Sequence, residues 1–144
     1  MKKNQSQPKP AAGDVNYRSK FEKSVGEFLG TRAVHEPERI NFIQPSKQRF
    51  YIPDFKTQND IYIECKGRWV AADRFKHVWL REQHPDKRIV IVFQDASGRL
   101  SKRSKTTYGE WATKQKLEWY DWKHGIPSEI YENKKNNRNR KRGS

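Results

Sequence analysis

Residues 51–67 read "YIPDFKTQNDIYIECKG", and the interpretation of this stretch decides the fold. Ile61, Ile63 and Cys65 alternate with Tyr62, Glu64 and Lys66, the period of two that marks a β-strand and puts Glu64 and Lys66 on one face. "QND" is turn material, so Asp54 is expected to end one strand while Glu64 lies in its neighbour, with both carboxylates at one end of a sheet. Carboxylates that close together repel unless a cation separates them, and hard oxygen ligands of this kind suit Mg²⁺ or Mn²⁺. Lys66, on the same face, can orient or deprotonate a metal-bound water or balance charge on a phosphoryl transition state. The pattern therefore points to metal-assisted phosphodiester hydrolysis. A plainer reading stands beside it, because Pro-Asp is a common turn dipeptide and Glu64 with Lys66 also describes a solvated strand face.

Outward from this hairpin, Phe21, Val25, Phe28 and Leu29 recur at helical spacing, which predicts an amphipathic helix over about 19–29 stopped by Gly30. "AVHEPERINFI" and "RFYIPDF" have strand character. A helix is expected over about 70–83, carrying Phe75, Val78 and Trp79 and closing before Pro85. "RIVIVF" is a continuous apolar run, as in a strand buried on both faces. Thr107 with Glu110 three residues on spells a capping box that opens a short helix, and "LEWYD" reads as a final strand. The order α, β, β, β, α, β, α, β is that of a mixed α/β sheet with helices against it.

The 144 residues suit one compact domain with tails, and 33% hydrophobic content with a mean hydropathy of -1.20 leaves one chain little apolar surface to bury. An oligomer sharing its core would relieve this. A net charge of +14 suits a polyanionic partner. Residues 133–144 hold six of the positive charges and residues 1–10 three, leaving +5 on residues 13–132. The division expected is a disordered basic arm over 1–12, a folded domain over 13–132 and a disordered basic tail over 133–144. No apolar run reaches the roughly 20 residues of a membrane span, and Met1 leads into a polar stretch, so no membrane association and a cytoplasmic location are expected. Cys65 is the single cysteine, which excludes an intramolecular disulfide and a cysteine-based zinc site; His35, His77, His84 and His124 leave a weaker metal possibility.

Other residues carry two readings each. Glu22 flanks the buried stripe of the first helix, and Ser19 with Glu22 also spells a capping box. His84 closes a helix and reads more readily as a surface residue than as a phosphate contact. The five Trp read as core or interface before base-stacking surfaces. Lys66 and Arg68, then Arg99, Lys102, Arg103 and Lys105, can grip backbone phosphates, as can Arg138, Arg140, Lys141 and Arg142 in the tail; a solvated loop is the alternative for 99–105.

"YRSKFEKSV", "YIPDF", "IYIECKG", "LREQHP", "RIVIVF" and "TTYGEW", in this order and at these intervals, resemble the phage endonuclease I family of Holliday-junction resolvases of T-seven-like phages over about residues 17–127. The resemblance implies a restriction-endonuclease-like α/β core and an intertwined homodimer that exchanges its N-terminal helix and first strand through an extended bridge, here about residues 40–50. It implies that Asp54 bridges two Mg²⁺ ions per site, with Mn²⁺ as substitute. Glu64 and the Cys65 carbonyl would hold the first ion and Glu22 would help hold the second, while Lys66 attends the water. Glu36 matches a further site acid, with Glu38 two residues on as its alternative. The expectation is a homodimeric endodeoxyribonuclease that recognises four-way and other branched DNA by structure and cuts paired strands near the branch. Its rivals are a duplex-cutting or transposase-associated nuclease with the same core, and a non-catalytic basic DNA-binding protein.

Overall fold

The computed structural model describes residues 9–10, 15–44 and 47–133. Helix α1, Lys20–Leu29, starts where the sequence predicts: the Ser19 hydroxyl accepts the Glu22 amide at 3.0 Å, and the chain leaves the helix through Gly30 at φ 55. Left-handed backbone of this kind is costly for any residue with a Cβ. Phe21, Val25 and Leu29 form its buried stripe.

The segment read as one strand, "AVHEPERINFI", divides. Glu36 takes φ 45 and Pro37 follows, which ends β2 at Ala33–His35 before β3 begins at Ile40–Gln44. "RFYIPDF" divides likewise, because Pro53 lacks the amide a ladder needs. Strand β4, Lys47–Tyr51, precedes it and β5, Phe55–Thr57, follows. Five strands, where three were expected, therefore lie between α1 and the second helix, the fifth being β6 at Tyr62–Lys66. Helix α2 (Ala71–Gln83), β7 (Ile89–Phe93), α3 (Tyr108–Lys114) and β8 (Glu118–Asp121) complete the described chain. The backbone of Lys9–Pro10, β1, lies antiparallel to Val34–His35.

The main sheet has the order β1-β2-β5-β6-β7-β8. Its first four strands run antiparallel to their neighbours, whereas β6, β7 and β8 are parallel. It is a mixed α/β sheet, as expected. Strand β7 is buried on both faces: Val90 and Val92 join the core under α1, and Ile91 and Phe93 join a second core with Trp69, Tyr108 and Ala112. Strands β3 and β4 form a separate hairpin, Ile40 opposite Tyr51, that packs Ile40 and Phe42 on Leu80 and Tyr62. In this single chain the residues read as an inter-chain bridge, 40–50, thus fold back on themselves, with residues 45 and 46 outside the described part. Among the described residues no helix is long and apolar enough to cross a membrane.

Candidate active site

The topology brings four of the predicted site residues to one end of the sheet. Strands β6 and β7 run parallel and in register, Lys66 beside Phe93, so both finish at that end. Strand β5 runs the opposite way, Phe55 beside Ile63, and so begins there. Asp54 consequently leads β5; it does not end the preceding strand, as the sequence suggested. The carboxyl ends of parallel strands are where open α/β sheets hold their ligands.

The alternation in β6 follows the predicted pattern. Ile61 and Ile63 are buried with Cys65 against the α1 core, while Tyr62 faces the hairpin and α2. Glu64 and Lys66 share that second face, and Lys66 Nζ lies 3.5 Å from Glu64 Oε1 and 3.3 Å from Oδ2 of Asp73 on α2. Asp54 Oδ2 accepts the backbone amide of Cys65 at 2.8 Å. Glu22 projects from α1, and its Oε1 lies 3.0 Å from His35 Nε2 and 3.2 Å from the Arg18 amide. Ser19 does cap Glu22, but the returning bond goes to Arg18 and the carboxylate is turned inward, so a surface capping box describes only half of what Glu22 does.

Glu22, Asp54 and Glu64 are 4%, 6% and 5% exposed, an unusual depth for three acids served by one lysine. Burial first, then the charges of Glu64 and Glu22, raise the Asp54 pKa far above the ordinary carboxylate value, against the opposing bond from Cys65. Burial alone would lower the Lys66 pKa, but Glu64, Asp73 and Asp54 outweigh it and hold the ammonium charged. As the side chains stand, no three acids, histidines or cysteines among the described residues converge on one point able to hold an ion. Glu22 is engaged with His35, Glu64 with Tyr51 and Lys66, and Asp54 with the Cys65 amide. The donor set nonetheless fits a divalent cation, since oxygen ligands crowded until one must keep its proton are what a hard cation would relieve.

Glu36 and Glu38 separate clearly. The Glu36 amide donates to the Asp54 carbonyl at 2.7 Å, and its half-exposed carboxylate pairs with Arg18 at 3.4 Å. Glu38 instead pairs with Lys56 at 3.0 Å and accepts the Tyr62 hydroxyl; against the opposing effect of burial, these bonds lower its pKa. Of the two, Glu36 is the one whose backbone adjoins Asp54. Arg68 is exposed just beyond Lys66, and Arg99, Lys102, Arg103 and Lys105 are exposed in the loop after β7. Arg138, Arg140, Lys141 and Arg142 lie outside the described residues.

Three partners escaped the sequence reading. The buried Tyr51 hydroxyl donates to Glu64, with its ring edge-on to His77 at 5.4 Å. His35 holds Glu22, and Asp73 holds Lys66. His35 and Asp73 lie outside the hairpin motif and Tyr51 opens it, but only Asp73, a lone acid in a basic segment that starts a helix after the strand, left a signal in the sequence. A hollow of about 530 Å³ lined by His77, Arg81, Lys87, Arg88 and Lys116 includes none of the site carboxylates.

A sequence model described as Phage endonuclease I matches residues 4–141. The chain is 39% identical over 108 residues to "Endodeoxyribonuclease 1" of Enterobacteria phage T3, covering 73% of this chain and 71% of that protein. It is 36% identical over 108 residues to "Endonuclease I" of Escherichia phage T7, covering 73% and 72%.

Proposed function

The chain belongs to the phage endonuclease I family, and from that premise we propose that this nuclease is a divalent-metal-dependent endodeoxyribonuclease that recognises four-way and other branched DNA and cuts paired strands near the branch. The observation that carries this reading is the burial of Asp54 and Glu64 beside Lys66 at the carboxyl end of the parallel strands, with a third buried acid, Glu22, close enough to raise the Asp54 pKa. A stability-driven core would not gather three carboxyls and leave one protonated.

Asp54, Glu64, the Cys65 carbonyl and Glu22 would hold Mg²⁺ or Mn²⁺, two ions per site. Such ions, when bound, supply Lewis acidity at the phosphate and lower the pKa of a water. Lys66, kept charged above all by Glu64 and Asp73, donates in this arrangement instead of accepting a proton; it orients the attacking water and offsets charge on the phosphate oxygens. Tyr51 and His35 fix the rotamers of Glu64 and Glu22 through their hydrogen bonds. The exposed cations at Arg68 and in the 99–105 loop, which starts from the same end of the sheet, suit the sugar-phosphate backbone and supply no base readout.

The same reading includes a restriction-endonuclease-like core in a homodimer with exchanged N-terminal segments. Opening the β3–β4 hairpin at its turn would let the antiparallel register of Ile40 with Tyr51 re-form between two chains, at small cost because the contacts are the same. Glu22 would then serve the site of the partner chain. The exposure of Ile43 and Phe50 on that hairpin supports an assembly in which another chain covers them.

The test is cleavage of a synthetic four-way junction and of a linear duplex of the same sequence, each in Mg²⁺, Mn²⁺ or EDTA. Paired cuts near the branch in either metal, none in EDTA and an intact duplex are expected. Equal cutting of the duplex would favour the duplex-cutting rival, and tight binding without cleavage in any metal would favour the non-catalytic one.

A further inference from the structure

Helix α2 presents an aromatic surface that the proposed mechanism leaves unused. Phe75, which the sequence places on this helix, is 49% exposed. His77 and Leu80 are the residues that α2 buries instead. The Phe75 ring is held in place without being covered: it lies near-parallel to Trp79 at 6.3 Å and edge-on to Trp111 at 6.0 Å. Behind it, Arg74 sits over Trp111 at 5.7 Å and donates to the Trp69 carbonyl at 2.8 Å. An exposed phenyl ring with an ordered aromatic backing is pre-organised for stacking, since the ordering cost is already met by the fold.

Its surroundings specify what would stack there. Residues 66–81 contain five cations, Lys66, Arg68, Arg74, Lys76 and Arg81, against the single acid Asp73, so an apolar protein partner is disfavoured and a polyanion is favoured. The same helix also reaches the active site. Lys76, the residue after Phe75 in the chain, lies 3.5 Å from Asp73 Oδ1, whose other oxygen holds Lys66. Its ammonium also lies 5.2 Å over the Tyr51 ring, and Tyr51 binds Glu64. Helix α2 begins just after β6 finishes, and Phe75 stands in its second turn.

We propose that the face of α2 around Phe75 is a stacking site for an unpaired nucleobase of the DNA strand whose backbone passes Lys66 and Lys76. This rests on the nuclease reading above. A base within a duplex has both faces covered by its neighbours, whereas a base at a branch, bulge or flap offers one to the ring. The site thereby favours DNA with unpaired bases next to the cut, through aromatic contact and nearby cations.

The test is the affinity of the full-length chain, in EDTA so that nothing is cut, for a fluorescent duplex carrying a short unpaired bulge and for the same duplex fully paired. Phe75→Ala should weaken binding to the bulged DNA on the order of tenfold and leave the paired duplex within about twofold. Phe75→Trp should restore the preference and Phe75→Leu should not. Equal affinities of wild type and Phe75→Ala for the bulged DNA would overturn the proposal, as would an equal loss on both probes. A change of oligomeric state in Phe75→Ala, read by light scattering, would assign the ring to a second copy of the chain and also overturn it. Wild type that bound neither probe would overturn this proposal together with the nuclease reading; binding of both probes with an indifferent Phe75→Ala overturns the stacking site alone.

Discussion

Asp54→Asn should make the protein more stable in the absence of metal, the reverse of what a buried polar substitution normally does. Asp54 is buried, and burial with the charges of Glu64 and Glu22 raises its pKa from an ordinary value of 3.8 to well above neutrality. The folded state then holds a proton that the unfolded state releases. The contribution of this group is complete below pH 3.8 and is lost as pH rises toward the folded value. At about 1.4 kcal/mol per pH unit, from 3.8 up to pH 7, the loss has a ceiling of about 4 kcal/mol. Asn removes the titration and keeps a carbonyl oxygen for the Cys65 amide. It should recover about 1–3 kcal/mol at pH 7, equivalent to a rise in Tm of roughly 3–9 °C for a chain of this length. Thermal melts in EDTA between pH 4 and pH 8 would show the two proteins converging at the acid end and separating as pH rises. Added Mg²⁺ or Mn²⁺ should reverse the order, since binding at about 100 times Kd adds about 2.7 kcal/mol to wild type and little to the variant. A variant less stable than wild type in EDTA at pH 7, or an equal response of both proteins to metal, would refute the reasoning.

Tyr51→Phe should cost about 1 kcal/mol of stability and raise the Mg²⁺ concentration needed for half-maximal cleavage, because Glu64 loses the hydroxyl that orients it; an unchanged metal titration would remove Tyr51 from the site. Deleting residues 133–144, with six positive charges, should weaken binding to every DNA shape alike and flatten the slope of log K against log salt by up to about 0.9 per lost phosphate contact. An unchanged slope would mean that the tail does not touch DNA. A dimer refolded from one Glu22→Gln chain and one Asp54→Ala chain should contain one intact site and nick a cruciform plasmid to an open circle. If such dimers are inactive while each variant chain complements wild type, Glu22 serves its own chain and the exchange is wrong.

Much of this architecture is legible in local sequence. Ser19 with Glu22 and Thr107 with Glu110 mark helix starts that the structure keeps, each hydroxyl accepting the amide three residues on. The unbroken run Ile89–Phe93 already implies a strand covered on both faces. Long-range pairing leaves no such signature. That Asp54 leads a strand becomes evident only once Phe55 pairs with Ile63, and the break on either side of Pro37 and Pro53 shows only as an extra pair of strands. The hairpin motif reveals Asp54, Glu64 and Lys66 because they are near in sequence. His35 and Asp73 stay hidden because strand and helix geometry, not spacing, carries them to the carboxylates, and Tyr51, though inside the motif, meets Glu64 only through the fold. The exposure of Phe75 is not legible either, because helical periodicity shows which residues share a face and not whether anything covers it.

The claim that Asp54, Glu64 and Lys66 form the reaction centre, and are not merely a buried ion network, is tested most directly by measuring binding and cleavage separately in Asp54→Ala, Glu64→Ala and Lys66→Ala on one four-way junction. If the account is right, each variant loses cleavage by about a thousandfold or more while its junction affinity stays at or, for the two acid variants, above that of wild type, since removing a carboxylate relieves repulsion with phosphate. Parallel loss of binding and cleavage in all three, or cleavage that survives Asp54→Ala, would contradict it.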